Sequence, residues 1–149
     1  MTEQSVGTTG PETGITEAGA GDSALALAAR TSAGTGVAAV LALVVRAIAV
    51  TVDPGLAALA PFGVEEIVGS TVFAGAGAAL VYAATTRYTA DPVRTFLGAA
   101  VVVFIASLAP VALAAPDLGV GFAGQLWLVA LHVAVAVPLT VAVARLVER

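Results

Sequence analysis

The sequence from residue 95 to residue 115 reads TFLGAAVVVFIASLAPVALAA and contains no charged side chain. A helix needs about 20 apolar residues to cross the hydrocarbon core of a bilayer, which is roughly 30 Å thick. This segment has that length and composition. Three further apolar segments share these properties, and they cover residues 33–52, 64–86 and 123–145. The chain is therefore predicted to contain four membrane-spanning helices.

The composition favours a bilayer over water as the surroundings of these segments. Hydrophobic residues make up 59% of the 149 residues and charged residues 11%, and the mean hydropathy is +1.02. A soluble globule of this size leaves much of its surface in water, so it could not bury so many apolar side chains. No segment shows the apolar and polar alternation of a transmembrane barrel. With short loops between the spans, we predict an all-α membrane protein that folds as a four-transmembrane-helix antiparallel bundle.

The six arginines are unevenly distributed between the two ends of the predicted bundle. Five of them flank the predicted spans at the ends that face one way: Arg30, Arg87, Arg94, Arg145 and Arg149. The loops that face the other way contain acidic residues and no basic residue: Asp53, Glu65, Glu66 and Asp117. Because the positive-inside rule applies to short loops, this asymmetry predicts a multi-pass protein of the cell (plasma) membrane with both termini in the cytoplasm.

The first 22 residues differ in composition from the rest of the chain. They contain five Gly, five Thr and four acidic residues, and few large apolar side chains. Such a segment buries too little apolar surface to offset the entropy of ordering. We predict a disordered acidic tail over residues 1–22 and a four-helix transmembrane domain over residues 23–149. The tail lacks the basic and apolar regions of a cleavable signal peptide, so the first span is expected to act as an uncleaved signal anchor.

Two local features precede and follow the first span. The sequence SALALAAR, residues 23–30, favours a helix that runs directly into this span. The sequence LAALAPFG, residues 56–63, is an apolar loop, and we expect it either to lie on the membrane surface or to fold back over the bundle.

Arg46 is the one cation inside a predicted span, about 9 Å from the end of that span at 1.5 Å per residue. An Arg at the centre of a membrane helix costs roughly 2.5 to 3.5 kcal/mol on the insertion scale, so this helix needs partners. Gly34, Ala38, Ala42 and Arg46 recur every four residues. The cation is therefore expected to share the small-residue face that packs against other helices.

The second span offers a partner for Arg46. A second stripe of small and polar residues recurs every four positions: Glu66, Ser70, Ala74 and Ala78. We predict an ion pair between Arg46 and Glu66, with Glu65 as the substitute. In the alternative interpretation, Arg46 reaches the lipid headgroups and both glutamates face water.

The fourth span carries the single histidine. Gln125, His132 and Thr140 share one helical face, and His132 falls near the predicted centre of the bilayer, where an ionisable residue is a functional candidate. His132 could relay protons. We favour a neutral His132 bonded to a Ser, a Thr or a backbone carbonyl of a neighbouring helix, with Ser107 as a candidate neighbour.

Prolines interrupt the third and fourth spans. Pro110 and Pro138 each free a backbone carbonyl, and we expect Ser107 or His132 to satisfy such a group.

Several other motifs carry no chemistry in this context. GVGFAG, residues 119–124, matches GxGxxG, but no strand precedes it. One His and no Cys make a typical transition-metal site improbable. Ser107 lacks the elbow and oxyanion donors of a hydrolase nucleophile. The arginines are scattered as topology signals rather than clustered for nucleic acid. We predict no enzymatic activity, no catalytic residue, no cofactor, no metal and no nucleic-acid partner.

The order of these features resembles a family of small prokaryotic four-transmembrane-helix proteins, a domain of unknown function. Four elements carry the resemblance, which covers residues 33–147: the second span GSTVFAGAGAALVYAATTRY (residues 69–88), the loop DPVRTF (residues 91–96), SLAP (residues 107–110), and the last span with His132 and Pro138. The resemblance implies a four-helix membrane fold and supplies no catalytic residues.

Two functional hypotheses follow. The leading one is a structural or accessory subunit that associates, through small-residue helix faces, with a second copy or with another membrane protein in the lipid bilayer. The alternative is a small transporter or channel subunit with a polar pathway through Arg46, Glu66, Gln125 and His132.

Overall fold

The computed structural model describes the backbone of residues 15–144 and the side chains of residues 24–144. Within these residues the chain is helical and contains no strand. The long helices are α1 (Ile15–Val52), α2 (Val64–Tyr88), α3 (Pro92–Leu113) and α4 (Phe122–Ala144). Short 3₁₀ helices lie between α1 and α2, at Pro54–Ala58 and Ala60–Phe62, and between α3 and α4, at Pro116–Leu118.

Four helices are long and apolar enough to cross a membrane, as the sequence predicted. They are Ala24–Val52 within α1, and the whole of α2, α3 and α4. The helix expected over residues 23–30 does continue into the first span, because α1 is unbroken to Val52. This helix begins at Ile15, inside the stretch assigned to the acidic tail. Residues 1–14 and 145–149, including Arg145 and Arg149, lie outside the described part.

A side-chain cap followed by a proline marks the start of α3 and of the 3₁₀ helix after α1. Asp91 Oδ1 accepts a hydrogen bond of 3.1 Å from the backbone N–H of Arg94, and Pro92 occupies the first helical position of α3, where the missing N–H is not needed. Asp53 Oδ1 likewise accepts from Gly55 N after α1. Gly119 ends the 3₁₀ helix before α4 with a φ of 79°, a left-handed conformation that favours glycine.

The helix α1 packs chiefly on α4 and then on α2, while α3 packs on α4 and α2. Gly34 allows the closest approach of α1 and α4, since a Cβ at this position would lie 2.6 Å from the Cβ of Ala142. Gly75 has the same role between α2 and α1, where a Cβ would overlap the hydroxyl of Thr35. Helices without large side chains at their contacts gain more van der Waals packing, which drives association inside a membrane.

The small-residue face predicted for α1 is buried inside the bundle. Ala38 is 0% exposed and Ala42 is 1% exposed, and Gly34 is buried with them. The small-residue face predicted for α2 is displaced by one position. The residues of α2 that are buried are Ile67, Thr71, Gly75 and Thr85, whereas Glu66 and Ser70 are exposed and Ala74 and Ala78 are half-buried. In an Ala-rich helix, small residues recur every four positions on more than one face. The sequence therefore does not show which of two adjacent faces is buried.

The loop over residues 56–63 folds back over the bundle, which confirms one of the two expectations for it. Leu56 and Phe62 are buried, and Leu56 packs against Gly124 at the start of α4. At the opposite end of the bundle, the rings of Tyr82 and Phe96 join α2 to α3 edge to face, with centroids 5.8 Å apart. The two ends therefore differ: a loop with buried apolar side chains closes one, and an aromatic pair joins helices at the other.

Candidate intramembrane cleft

A cleft with a volume of about 720 Å³ lies between α2, α3 and α4. It runs from Pro61 and Leu118 at the end with the folded-back loop to Val81 and Phe96 toward the other end. Its lining is mainly apolar. Six polar side chains contribute to it: Glu66, Ser70, Thr71, Ser107, His132 and Thr140.

Small residues on two helices create this cleft. The walls on α2 and α3 are formed by Ala74, Gly77, Ala78, Ala99 and Ala100, which do not fill the space between the helices. The α2 face that was predicted to contact α1 therefore lines the cleft instead. Its residues are Glu66, Ser70, Ala74 and Ala78. Leu128 and Leu131 of α4 form its buried floor.

Arg46 has a partner that the sequence did not predict. Its Nε donates a hydrogen bond of 2.6 Å to the backbone oxygen of Phe62, in the loop that folds back. Within residues 24–144 no ion pair joins Arg46 to Glu66 or Glu65. The carboxylate of Glu66 instead lies over the Cα of Gly63, at the N-terminus of its own helix, where the helix dipole favours an anion. Glu65 and Glu66 are both exposed, but only Glu66 lines the cleft.

His132 is tied to its own helix. Its Nδ1 lies 2.7 Å from the backbone oxygen of Leu128, and since a carbonyl oxygen can only accept, the ring proton is on Nδ1. In the neutral form of the ring, Nε2 would then be an acceptor. The partner is a backbone carbonyl of α4 itself, so the predicted partner on a neighbouring helix is wrong.

Ser107 lines the same cleft as His132 and donates its hydroxyl proton to Phe104 O at 2.7 Å. Gln125 is half-buried near the start of α4 and does not line the cleft. Of the predicted candidates, Glu66, Ser107 and His132 therefore line one cleft without bonding to one another, whereas Arg46, Glu65 and Gln125 do not line it.

The suggestion that Ser107 or His132 satisfies carbonyls freed by the prolines is wrong. A proline at position i removes the bond to the carbonyl of residue i−4, so Pro110 frees Ala106 O and Pro138 frees Ala134 O. The two side chains bond to Phe104 O and Leu128 O instead.

The mainly apolar lining of the cleft suits contact with an apolar group. In the part of the chain that the structure describes, no group of three or more His, Cys, Asp or Glu side chains could hold a metal ion. The hydroxyls of Ser70 and Thr71 both donate to Ile67 O, so they too are satisfied within α2. Apart from these hydroxyl groups, the lining of the cleft is mainly a long apolar surface with Glu66 at one end.

Sequence reasoning did not identify the cleft. The sequence feature that could have indicated the cleft is the presence of small residues on two facing helices. They lie at positions 74, 77 and 78 on α2 and at positions 99 and 100 on α3. This signal needs the rotation of each helix about its axis, which the sequence of an Ala-rich segment does not specify.

Comparison of the chain with protein-family models, with curated proteins and with solved structures finds no match. The resemblance to small prokaryotic four-span proteins therefore stays a prediction.

Proposed function

We propose that this protein is a non-enzymatic integral membrane protein that acts as a structural or accessory subunit. It resides in the cell membrane and associates with a second copy or with another membrane protein through small-residue helix faces.

The proposed topology is an antiparallel bundle with both termini in the cytoplasm. Two close approaches support it: Gly34 near the start of the α1 span lies against Ala142 at the end of α4, and Leu56 after α1 lies against Gly124 at the start of α4. The arginines at the described ends of α2 and α3, Arg87 and Arg94, would then face the cytoplasm.

The observation that carries the proposed association is a contrast between glycines. Gly34 and Gly75 are explained within the chain, because a Cβ at either position would clash with a neighbouring helix. Four helical glycines are not, since a Cβ at Gly36, Gly69, Gly77 or Gly98 would have no neighbour within 4 Å. Gly77 lines the cleft, whereas Gly36 on α1 and Gly69 on α2 are exposed and are the candidate contact positions. A glycine in a helix interior costs about 1 kcal/mol relative to alanine. At a lipid-facing position, this loss is offset if the backbone of another helix approaches there.

A transport role is the second candidate. Glu66 and His132 share one cleft, which favours it. However, the pathway it requires also includes Arg46 and Gln125, and neither lines that cleft. The hydrogen bond from Arg46 to Phe62 O also favours a structural role for this cation.

The absence of cysteine from the chain allows a direct test of the association. Single substitutions Gly36→Cys and Gly69→Cys place a thiol at the two open glycines, and oxidation in native membranes would capture a neighbouring copy or a partner that carries a thiol. Leu41→Cys is the control, because Leu41 is also exposed on α1 but lies on a different face from Gly36.

We expect a disulfide-linked dimer for at least one glycine position and little for Leu41, seen as a doubled mass on a non-reducing gel. A heterologous partner would appear as a different mass. Equal cross-linking at all three positions would indicate random collision and would contradict a specific interface.

A further inference from the structure

The geometry points to a binding site for an amphiphilic organic cation in the cleft between α2, α3 and α4. The alkyl chain lies along the apolar walls, and the ammonium group contacts the carboxylate of Glu66. This site is separate from the association positions Gly36 and Gly69, neither of which lines the cleft.

The size of the cleft suits a single chain. Its volume of about 720 Å³ falls within the roughly 300 to 1,000 Å³ of small-molecule sites. Along α2 it extends from Glu66 to Val81, which is about 22 Å at 1.5 Å per residue. An extended alkyl chain therefore fits the length of the cleft.

The charge of the lining selects the head group. Glu66 is the one charged residue among the side chains that line the cleft, and it lies at the end bounded by Pro61 and Leu118. Arg46 does not line the cleft. An anionic head group would bring a like charge to Glu66, whereas an ammonium group would form an ion pair there.

The hydrogen-bonding pattern of the walls agrees with this selection. Four of the six polar side chains that line the cleft use their proton within their own helix: Ser70, Thr71, Ser107 and His132. These groups retain lone pairs, and Glu66 adds a carboxylate. The cleft therefore offers mainly acceptors, which suits a cation and disfavours an anion.

Photolabelling tests the proposal. The full-length protein is placed in phosphatidylcholine nanodiscs and labelled with an alkyltrimethylammonium probe that carries a diazirine at the end of its chain. Labelled residues are located by mass spectrometry. We expect them on the cleft walls of α2, α3 and α4, and we expect dodecyltrimethylammonium to compete. Dodecyl maltoside, which has the same chain and an uncharged head group, should compete weakly.

Two pairs of variants separate the head-group contact from the chain contact. Glu66→Gln should lower labelling about fivefold, whereas Glu65→Gln should leave it unchanged, because Glu65 does not line the cleft. Gly77→Leu should abolish labelling by filling the cleft, whereas Gly98→Leu should not. A Cβ at either glycine meets no neighbour within 4 Å, so both variants are expected to fold.

Three results would overturn the proposal: equal competition by the maltoside, unchanged labelling of Glu66→Gln, or unchanged labelling of Gly77→Leu. None of these bears on cross-linking at Gly36 or Gly69, so the ligand site and the association can fail independently.

Discussion

Arg46 and Phe62 are joined by a hydrogen bond of 2.6 Å from the guanidinium Nε to the backbone oxygen, across sixteen residues of chain. The bond links the transmembrane part of α1 to the loop that precedes α2. The Phe62 side chain is fully buried beside it. Arg46 is unfavourable within a span, but here it holds a loop against the bundle. A hydrogen bond from a charged group contributes about 1.5 to 3 kcal/mol to stability.

Replacing this arginine should release the loop without unfolding the helices. Arg46→Leu removes the donor to Phe62 O but makes the first span more apolar, so its insertion improves. We expect faster amide hydrogen exchange over residues 56–63 and unchanged helix content by circular dichroism. Glu66→Gln is the control; because its side chain lies over Gly63, exchange is compared over residues 56–62, where this variant should have no effect. If it opened the loop as much as Arg46→Leu, an ion pair between Arg46 and Glu66 would have to be reinstated.

Phe62 should be among the residues most sensitive to truncation. It is 0% exposed, and Phe→Ala substitutions at buried sites cost about 3 to 5 kcal/mol. Phe73 on α2 is 82% exposed, so its replacement removes few contacts within the protein. We expect Phe62→Ala to lower the midpoint of unfolding in detergent strongly and Phe73→Ala to change it little. Similar midpoints for both variants would mean that the loop is not packed as described.

The neighbouring glycines Gly34 and Gly36 should respond oppositely to alanine. At Gly34 the added Cβ would lie 2.6 Å from that of Ala142, so α1 and α4 must separate at a cost of about 1 to 3 kcal/mol. At Gly36 the added Cβ meets nothing within 4 Å, and helix propensity favours alanine by up to about 1 kcal/mol. Stability of the monomer, measured by steric trapping in bicelles, should fall for Gly34→Ala and rise for Gly36→Ala. A gain for both would exclude close contact between α1 and α4 at this level.

Thr31 offers a stabilising substitution. Its Oγ1 is buried, at 6% exposure of the residue, and has no hydrogen-bond partner in the structure. Thr31→Val keeps the shape and removes the unsatisfied group, so we expect a gain of about 1 kcal/mol in unfolding free energy. Thr71→Val is the matched control, because the Oγ1 of Thr71 donates to Ile67 O at 2.7 Å and this bond would be lost. A loss of stability for Thr31→Val would show that its hydroxyl has a partner in the membrane.

The number of the spans could be predicted from sequence, because a bilayer imposes a length and a composition on every helix that crosses it. The burial of Gly34, Ala38 and Ala42 could also be predicted, since close helix packing selects small side chains at a fixed spacing. The orientation of α2 could not. Its small residues occupy several faces of the helix. The face from Glu66 to Ala78 was therefore predicted to contact α1, whereas it lines the cleft.

The sequence alone determined that the described chain forms four helices long and apolar enough to span a membrane, because the hydrophobic segments satisfy that requirement one at a time. Only the tertiary structure decided which polar groups meet. Arg46 bonds to a backbone oxygen, an acceptor that every residue carries and no sequence pattern marks. Glu66 and His132 share a cleft because of how α2, α3 and α4 are rotated against one another. That rotation is a property of the whole packed bundle and not of any one segment.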